Sequence, residues 1–472
     1  MKTLVLIVYL LQSRASAATL RLRGVEDRPS GLVDCRVTVT SSFGAEPEST
    51  PLCIPITSEG ETDDTFPLAL PQSILSEHQE AISAGQLLLQ IQGATHVEYE
   101  SLSVSPQAKF TVHNQTSLPS HLRKLESEGD RRLSFIPGTT GKRVLGVIRI
   151  STRERDGSIN APKYSAKDLE EGLFGNGYMK DGVTAVKQFY QCSNGKLEWI
   201  PHPDGVHDII MPNPASSYSV GSLEQAVTLA LKQKLRVGKM TDYAHNTMFV
   251  MPPGMGGFFA QAPVNHWRSS YHNDWGLSLQ GILHELGHNL GLGHAYDGSM
   301  EYGDHSGVMG SGGTSPNSPQ TCYNGFNHDK LGWLSDKTQR IDTSFLNNRD
   351  AKLIKLSAYV DYGVAESYEP VIVDINHKFY VQYNRNTKYN KGTREYENML
   401  TVHTREGAEN AATNVVAALG VRGQFVLKGL PGPGKRFIIR VCRKVNGDAN
   451  SPDALIVSFG FNSRACRQTW TP

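Results

Sequence analysis

Residues 284–294 read His284-Glu285-Leu286-Gly287-His288-Asn289-Leu290-Gly291-Leu292-Gly293-His294. Leu279, Ile282, Leu283, Leu286 and Leu290 recur at helical spacing, which predicts an amphipathic helix with its apolar face in the core. His284 and His288, four apart, share one face of that helix. Two imidazoles so placed can hold one Zn2+ at about 2.0–2.1 Å each. Gly291 lets the chain leave the helix in a conformation other residues resist, and the turn returns His294 as third ligand. Three histidines leave the fourth position to water, the mark of a catalytic rather than structural zinc site. Glu285 adjoins a ligand and is placed to take a proton from the zinc-bound water as general base. The plainer alternative is a helix with surface histidines and a chance acid. Five fixed residues at fixed spacing weigh against it.

The stretch before this helix interleaves strands and helices. Val144-Leu145-Gly146-Val147-Ile148-Arg149-Ile150 reads as a buried strand, and Ser165 with Asp168 opens a capped helix. A second helix runs through Val183–Tyr190 and a third over Ser222–Leu235. Thr247-Met248-Phe249-Val250-Met251 is a strand stopped by Pro252-Pro253. This alternation argues for a mixed α/β unit.

His284-Glu285-x-x-His288-x-x-Gly291-x-x-His294 with a downstream methionine resembles the metzincin signature of zinc peptidases. The methionine is Met309, in Asp304-His305-Ser306-Gly307-Val308-Met309-Gly310, and the resemblance implies a turn carrying it beneath the ligands. More narrowly, the region resembles the gametolysin family, peptidase family M11, whose members degrade cell-wall glycoproteins. The text that carries this includes Gln188-Phe189-Tyr190-Gln191-Cys192-Ser193-Asn194-Gly195-Lys196-Leu197, Met251-Pro252-Pro253-Gly254 and Asn327-His328-Asp329-Lys330-Leu331-Gly332-Trp333. By the same resemblance, Gly256–Ala262 would be an edge strand able to bind an extended substrate through its backbone, with an ordinary Gly-marked strand as the equal alternative. Some metzincins place a Tyr two residues after the turn methionine; Ser311 stands there, leaving Tyr302 and Tyr323 as weak candidates for that role. His305 and His328 read as surface or structural histidines.

On either side of this unit the sequence turns to strands. Arg36–Thr40, Leu87–Ile91 and Lys109–Val112 alternate between turn residues, which favours a small β-rich unit. Val371–Ile375, Phe379–Tyr383, Met399–Val402 and Phe437–Val441 suggest a β-sandwich. The expected fold class is an α+β metzincin-like catalytic domain, a mixed twisted sheet plus the zinc-site helix, between these two. The expected division is a signal peptide at 1–17, a β-rich propeptide at 18–132, the zinc peptidase domain at 133–341 and a β-sandwich at 342–472. The Arg131-Arg132 pair is a candidate processing site, with a plain solvated loop as the equal alternative.

Lys2, the apolar run Leu4–Leu11 and Ala15-Ser16-Ala17-Ala18 have the layout of a secretory signal. That run is far short of the roughly 20 residues a membrane-spanning helix needs. Secretion without a membrane anchor is expected. The six cysteines, Cys35, Cys53, Cys192, Cys322, Cys442 and Cys466, suit an oxidising compartment, three within-domain disulfides being the simplest arrangement. The resemblance also raises a propeptide thiolate on the zinc, from Cys35 or Cys53, against a plain Cys35–Cys53 disulfide. Asn114-Gln115-Thr116 is a glycosylation sequon. A formal net charge of +1 gives no support to nucleic-acid binding, which needs an electrostatic excess. The expected function is therefore a secreted zinc-dependent endopeptidase acting on extracellular or cell-wall (glyco)proteins. The alternative is a non-catalytic matrix- or wall-binding protein with a vestigial zinc site.

Overall fold

The computed structural model describes residues 32–113, apart from 45–49, 58–59, 84 and 98–100, and residues 138–466, apart from 177–181, 311–319, 348–350, 406–411, 432–435, 448–451 and 462–465. The signal segment, Asn114, Arg131-Arg132 and Ser311 lie outside the described residues. The chain divides into two compact units. One comprises 1–138, 143–184 and 199–292; the other comprises 139–142, 185–198 and 293–472.

The first unit is built on a mixed sheet. Its strands run in the order His207–Met211, Gly141–Arg153, Asn246–Met251, Arg268–His272, Phe258–Pro263, Leu32–Gly44, Thr50–Thr57 and Gly60–Glu61. The first four pair in parallel; Phe258–Pro263 turns antiparallel to Arg268–His272. Parallel pairing requires crossover connections, and the helices Ala166–Phe174 and Val220–Leu235 lie within two of them. Asn246–Met251 is buried at every position, which explains why its sequence is nearly continuous apolar text rather than alternating. Ile148, Ile150, Phe249 and Met251 pack with Leu223, Val227 and Leu231 from the longer helix.

The predicted start of the first helix is realised as a reciprocal cap. The Asp168 N–H donates to Ser165 Oγ at 3.1 Å, and the Ser165 N–H donates to Asp168 Oδ2 at 2.9 Å. Such a box satisfies two of the donors that a helix start leaves over.

The front segment is β-rich, with strands Leu32–Gly44, Thr50–Thr57, Leu87–Val97 and Ser101–His113. It continues the same sheet. Leu32–Gly44 lies antiparallel to Phe258–Pro263, with Thr40 opposite Pro263 and Ser42 opposite Gln261. The edge expected to be open is therefore paired on both sides, once from Arg268–His272 and once from the front strand. Backbone alternation could not reveal this, because an open edge and a paired strand share the same period-two pattern. Val264, just past that strand, packs in the front core with Cys35, Val37, Leu89 and Ile91.

The second unit carries two further sheets. A six-stranded sheet runs Ala295–Asp297, Thr413–Leu419, Met399–Arg405, Phe379–Asn384, Ile372–Ile375 and Thr338–Ile341. A four-stranded sheet runs Ala351–Ser357, Ala454–Gly460, Arg436–Val445 and Gln424–Lys428. Disulfides join Cys35 to Cys53, Cys192 to Cys322 and Cys442 to Cys466, with no free cysteine among the described residues. Cys35 and Cys53 thus form a bond rather than offering a thiolate.

Candidate metal and catalytic centre

The helix that carries the histidine motif spans Leu279–Asn289. Its start is capped by Ser278, whose hydroxyl accepts from the Gly281 N–H at 3.2 Å. Leu spacing predicted one buried face, yet Gln280 through Asn289 are all buried. His284, Glu285, His288 and Asn289 are thus enclosed, and buried polar groups must find partners or a cation. Asn289 donates to the carbonyls of Pro263 and Arg268 at 3.2 and 2.9 Å, which ties the helix to the two neighbouring strands.

The helix ends as predicted at Gly291, with φ of +92°. A Cβ there would sit 2.5 Å from Asn265 Oδ1, so both conformation and space require glycine. The Leu290, Gly291 and Leu292 N–H groups donate to carbonyls of Leu286, His288 and Gly287, closing the turn.

His284, His288 and His294 each offer a ring nitrogen, and these three atoms lie within 4.8 Å of one another. All three residues are buried. The rings of His284 and His288 lie edge to face, centroids 4.7 Å apart. Tetrahedral coordination at about 2.0–2.1 Å separates ligand nitrogens by about 3.4 Å, so small side-chain rotations complete the geometry. The set fits a metal ion: three imidazoles converge, and the Glu285 beside them is fully buried with no hydrogen-bond partner for either carboxylate oxygen among the described residues. Burial pushes the Glu285 carboxyl well above its usual range.

The rings of His288 and His294 are oriented by their other nitrogen. His288 Nδ1 is 2.8 Å from the carbonyl oxygen of Leu292. A carbonyl can only accept, so Nδ1 carries the proton and Nε2 keeps its lone pair. His294 Nδ1 is 2.6 Å from Glu301 Oε1. That hydrogen bond holds the Glu301 carboxyl below its usual range, against the opposing effect of burial. Glu301 was not read as a site residue from the sequence; an acid seven positions past a ligand has no fixed motif, although orienting carboxylates are the rule at metal-bound histidines.

The segment beyond His294 is anchored in its own unit. The Thr413 N–H donates to the His294 carbonyl at 3.0 Å, and the Ala295 N–H donates to the Met309 carbonyl at 2.8 Å. Met309 is fully buried, and its main chain is bonded directly beside the third histidine. Tyr302 has its ring centroid 4.0 Å from that of His294, whereas Tyr323 lies in an aromatic cluster with Phe189, Trp333 and His328. His328 is fully buried among Tyr323, Trp333 and Tyr359, as a structural histidine would be; His305 is half-buried, 3.7 Å from Glu395 Oε1.

The family model for gametolysin peptidase M11 matches residues 161–426, more than half of the chain. The Autolysin of Chlamydomonas reinhardtii is similar to it at 28% identity over 125 residues. That alignment takes in 25% of this chain and 19% of the autolysin, so it spans about a fifth of the relative's length. The chain, with its buried histidine cluster able to bind a metal inside the matched region, belongs to the gametolysin peptidase family M11.

Proposed function

We propose that this peptidase is a secreted zinc-dependent endopeptidase that hydrolyses peptide bonds of extracellular or cell-wall (glyco)proteins. The observation that carries the reading is the convergence of His284, His288 and His294 beside the enclosed carboxylate of Glu285. The parallel strands followed by the antiparallel strand Phe258–Pro263 and the motif helix support a metzincin-like layout. Three imidazoles suit zinc, and a zinc ion bound there supplies Lewis acidity toward the scissile carbonyl and acidifies water. Glu285 is the residue that takes the proton from the attacking water and later passes it to the leaving amine. Its burial beside the ligands keeps that transfer local. Glu301 and the Leu292 carbonyl hold His294 and His288 in the tautomer that ligates through Nε2.

The front segment reads as a propeptide that keeps the precursor silent. Its strand Leu32–Gly44 occupies the Phe258–Pro263 edge that an extended substrate would use. The Asn265 N–H, just past that edge, donates to the His288 carbonyl at 3.0 Å, so the covered strand adjoins the motif helix. Removal at Arg131-Arg132 would free the edge. Three disulfides support an oxidising, extracellular setting, and no helix among the described residues is long and apolar enough to cross a membrane. The two sheets of the second unit support a β-sandwich reading of the tail.

Glu285→Gln tests the whole reading. Zinc content unchanged, with peptide hydrolysis down about 10²–10⁴-fold, is the expected result. Undiminished proteolysis by that variant, or chelator-insensitive cleavage by the wild type, would overturn it. Loss of cleavage without loss of biological activity would favour the non-catalytic binding alternative.

A further inference from the structure

A second group of metal-binding side chains lies outside the histidine motif. His202, Asp204 and His207 each offer one ligand atom, and the three atoms lie within 4.8 Å of one another. All three belong to the run His202-Pro203-Asp204-Gly205-Val206-His207, between the strands Leu197–Pro201 and His207–Met211. Its spacing, His-x-Asp-x-x-His, was legible but carries no weight by itself. What gives it weight is the fold of the turn.

The backbone closes on itself there. The Gly205 N–H donates to the His202 carbonyl at 2.9 Å, with Gly205 at φ of +70° and Pro203 fixing its own φ. Both imidazoles rest on one buried ring: the centroid of Tyr243 is 4.1 Å from that of His202 and 5.5 Å from that of His207. Their rotamers are therefore limited by packing, as ligands need. His202 Nδ1 lies 3.8 Å from Asp204 Oδ2, close enough for a small movement of the exposed Asp204 to bring both to one ion. His207 Nε2 and Tyr243 Oη are buried with no hydrogen-bond partner among the described residues. Buried polar atoms of that kind carry a cost until something pairs with them.

We propose that this turn is a second metal site, taking a divalent transition-metal ion of the zinc class through His202, Asp204 and His207. Two imidazoles and one carboxylate suit such an ion better than calcium or magnesium, which prefer all-oxygen sets. Asp204 is largely exposed, so the outer coordination position faces water. The ion would clamp the turn that leads into the strand His207–Met211, a structural role separate from peptide hydrolysis. Two features make it the weaker of the two sites. The Asp204 N–H donates to His202 Nδ1 at 3.2 Å, a bond the ion must displace, and the positive charge of Lys234 acts on His207.

The experiment uses the full chain carrying Glu285→Gln, so that the sample does not digest itself. Bound Zn2+ is counted after equilibrium dialysis, and Co2+ titration reports each site by its visible absorption. Two ions per chain are expected, falling to one with His207→Asn and to a different one with His288→Asn. Asp204→Asn, at an exposed position, should weaken the turn site about tenfold or more and leave the motif site unchanged. A single ion in the parent that His288→Asn abolishes, with Asp204→Asn and His207→Asn having no effect, would overturn the proposal. Should His207→Asn fail to fold, as judged by near-ultraviolet circular dichroism, the His202→Asn and Asp204→Asn counts decide. Loss of the motif ion alone would instead count against the zinc-peptidase reading, so the two failures remain distinct.

Discussion

Arg36 donates from Nη2 to the carbonyl oxygen of Asn265 at 3.1 Å, and Asn265 lies 229 positions further along the chain. Arg36 is 1% exposed and forms a fork with Glu61, Nε to Oε1 at 2.6 Å and Nη2 to Oε2 at 3.0 Å. The Asn265 N–H continues the connection to the His288 carbonyl. A buried guanidinium of the front segment is thus one residue removed from a metal-motif histidine. Replacing Arg36 with Met removes the buried guanidinium from the Glu61 carboxylate and from the Gly85 and Asn265 carbonyls, which should cost up to about 3 kcal/mol. Urea unfolding should show that loss, and the front strand should become more accessible to added protease. Pairing Arg36→Met with Glu61→Leu should recover much of the stability, because the buried charge is then gone.

Glu301 Oε1 lies 2.6 Å from His294 Nδ1 and orients that ring. Glu301→Gln keeps a group of the same size but weakens the hold on the Nδ1 proton. Zinc affinity should fall about 10–100-fold. Competition with a chromophoric chelator measures it, and peptide hydrolysis at saturating zinc should recover in large part.

On the proposed reading of the front segment as a propeptide, the Cys35–Cys53 bond leaves neither thiol free to act as a switch. Alkylating or mercurial thiol reagents should leave such a precursor silent, since Cys35 and Cys53 are bonded to each other. Cleavage at the candidate processing pair Arg131-Arg132 should activate it instead. Activation by a thiol reagent alone, followed with a fluorogenic peptide, would contradict the edge-strand account.

His328 supplies a pH dependence. Burial pushes its pKa down from 6.5 to about 3, so the folded protein keeps the ring neutral where the unfolded chain takes up a proton. Stability from this group is fully present above pH 6.5 and is lost as pH falls toward 3. Its share of the slope is at most about 1.4 kcal/mol per pH unit. The metal-free protein isolates the effect from ligand protonation. His328→Phe should flatten acid unfolding across that window, read by tryptophan fluorescence from Trp333, whose ring is 5.9 Å away.

Gly291→Ala would place a side chain at φ of +92° and 2.5 Å from Asn265 Oδ1. The strain costs about 1–3 kcal/mol and displaces the turn that carries the chain from His288 to His294. Zinc affinity and thermal midpoint should fall together in this variant, unlike Glu301→Gln, where affinity alone should move.

Much of the site was legible because its parts are local. The helix, the positions of His284, His288 and Glu285 on it, and the exit at Gly291 follow from residue spacing over eleven positions. The Ser165–Asp168 cap and the strand Asn246–Met251 were legible for the same reason. Periodicity also marked most strands of the tail. It could not say which sheet each strand joins, since pairing depends on partners far along the chain.

By itself, the sequence spaced His284, His288 and His294 around the adjacent acid Glu285 and carried the alternation of elements that builds the central sheet. Only the tertiary structure decided that the motif helix is enclosed on every side, that Glu301 orients His294, and that Cys35 pairs with Cys53. It alone placed Leu32–Gly44 along Phe258–Pro263 and brought His202 and His207 onto the ring of Tyr243, beside Asp204. The physical reason is common to all of these. Spacing along the chain fixes which side chains share a face, whereas burial, pairing and the completion of a coordination shell depend on groups that meet only when distant segments pack.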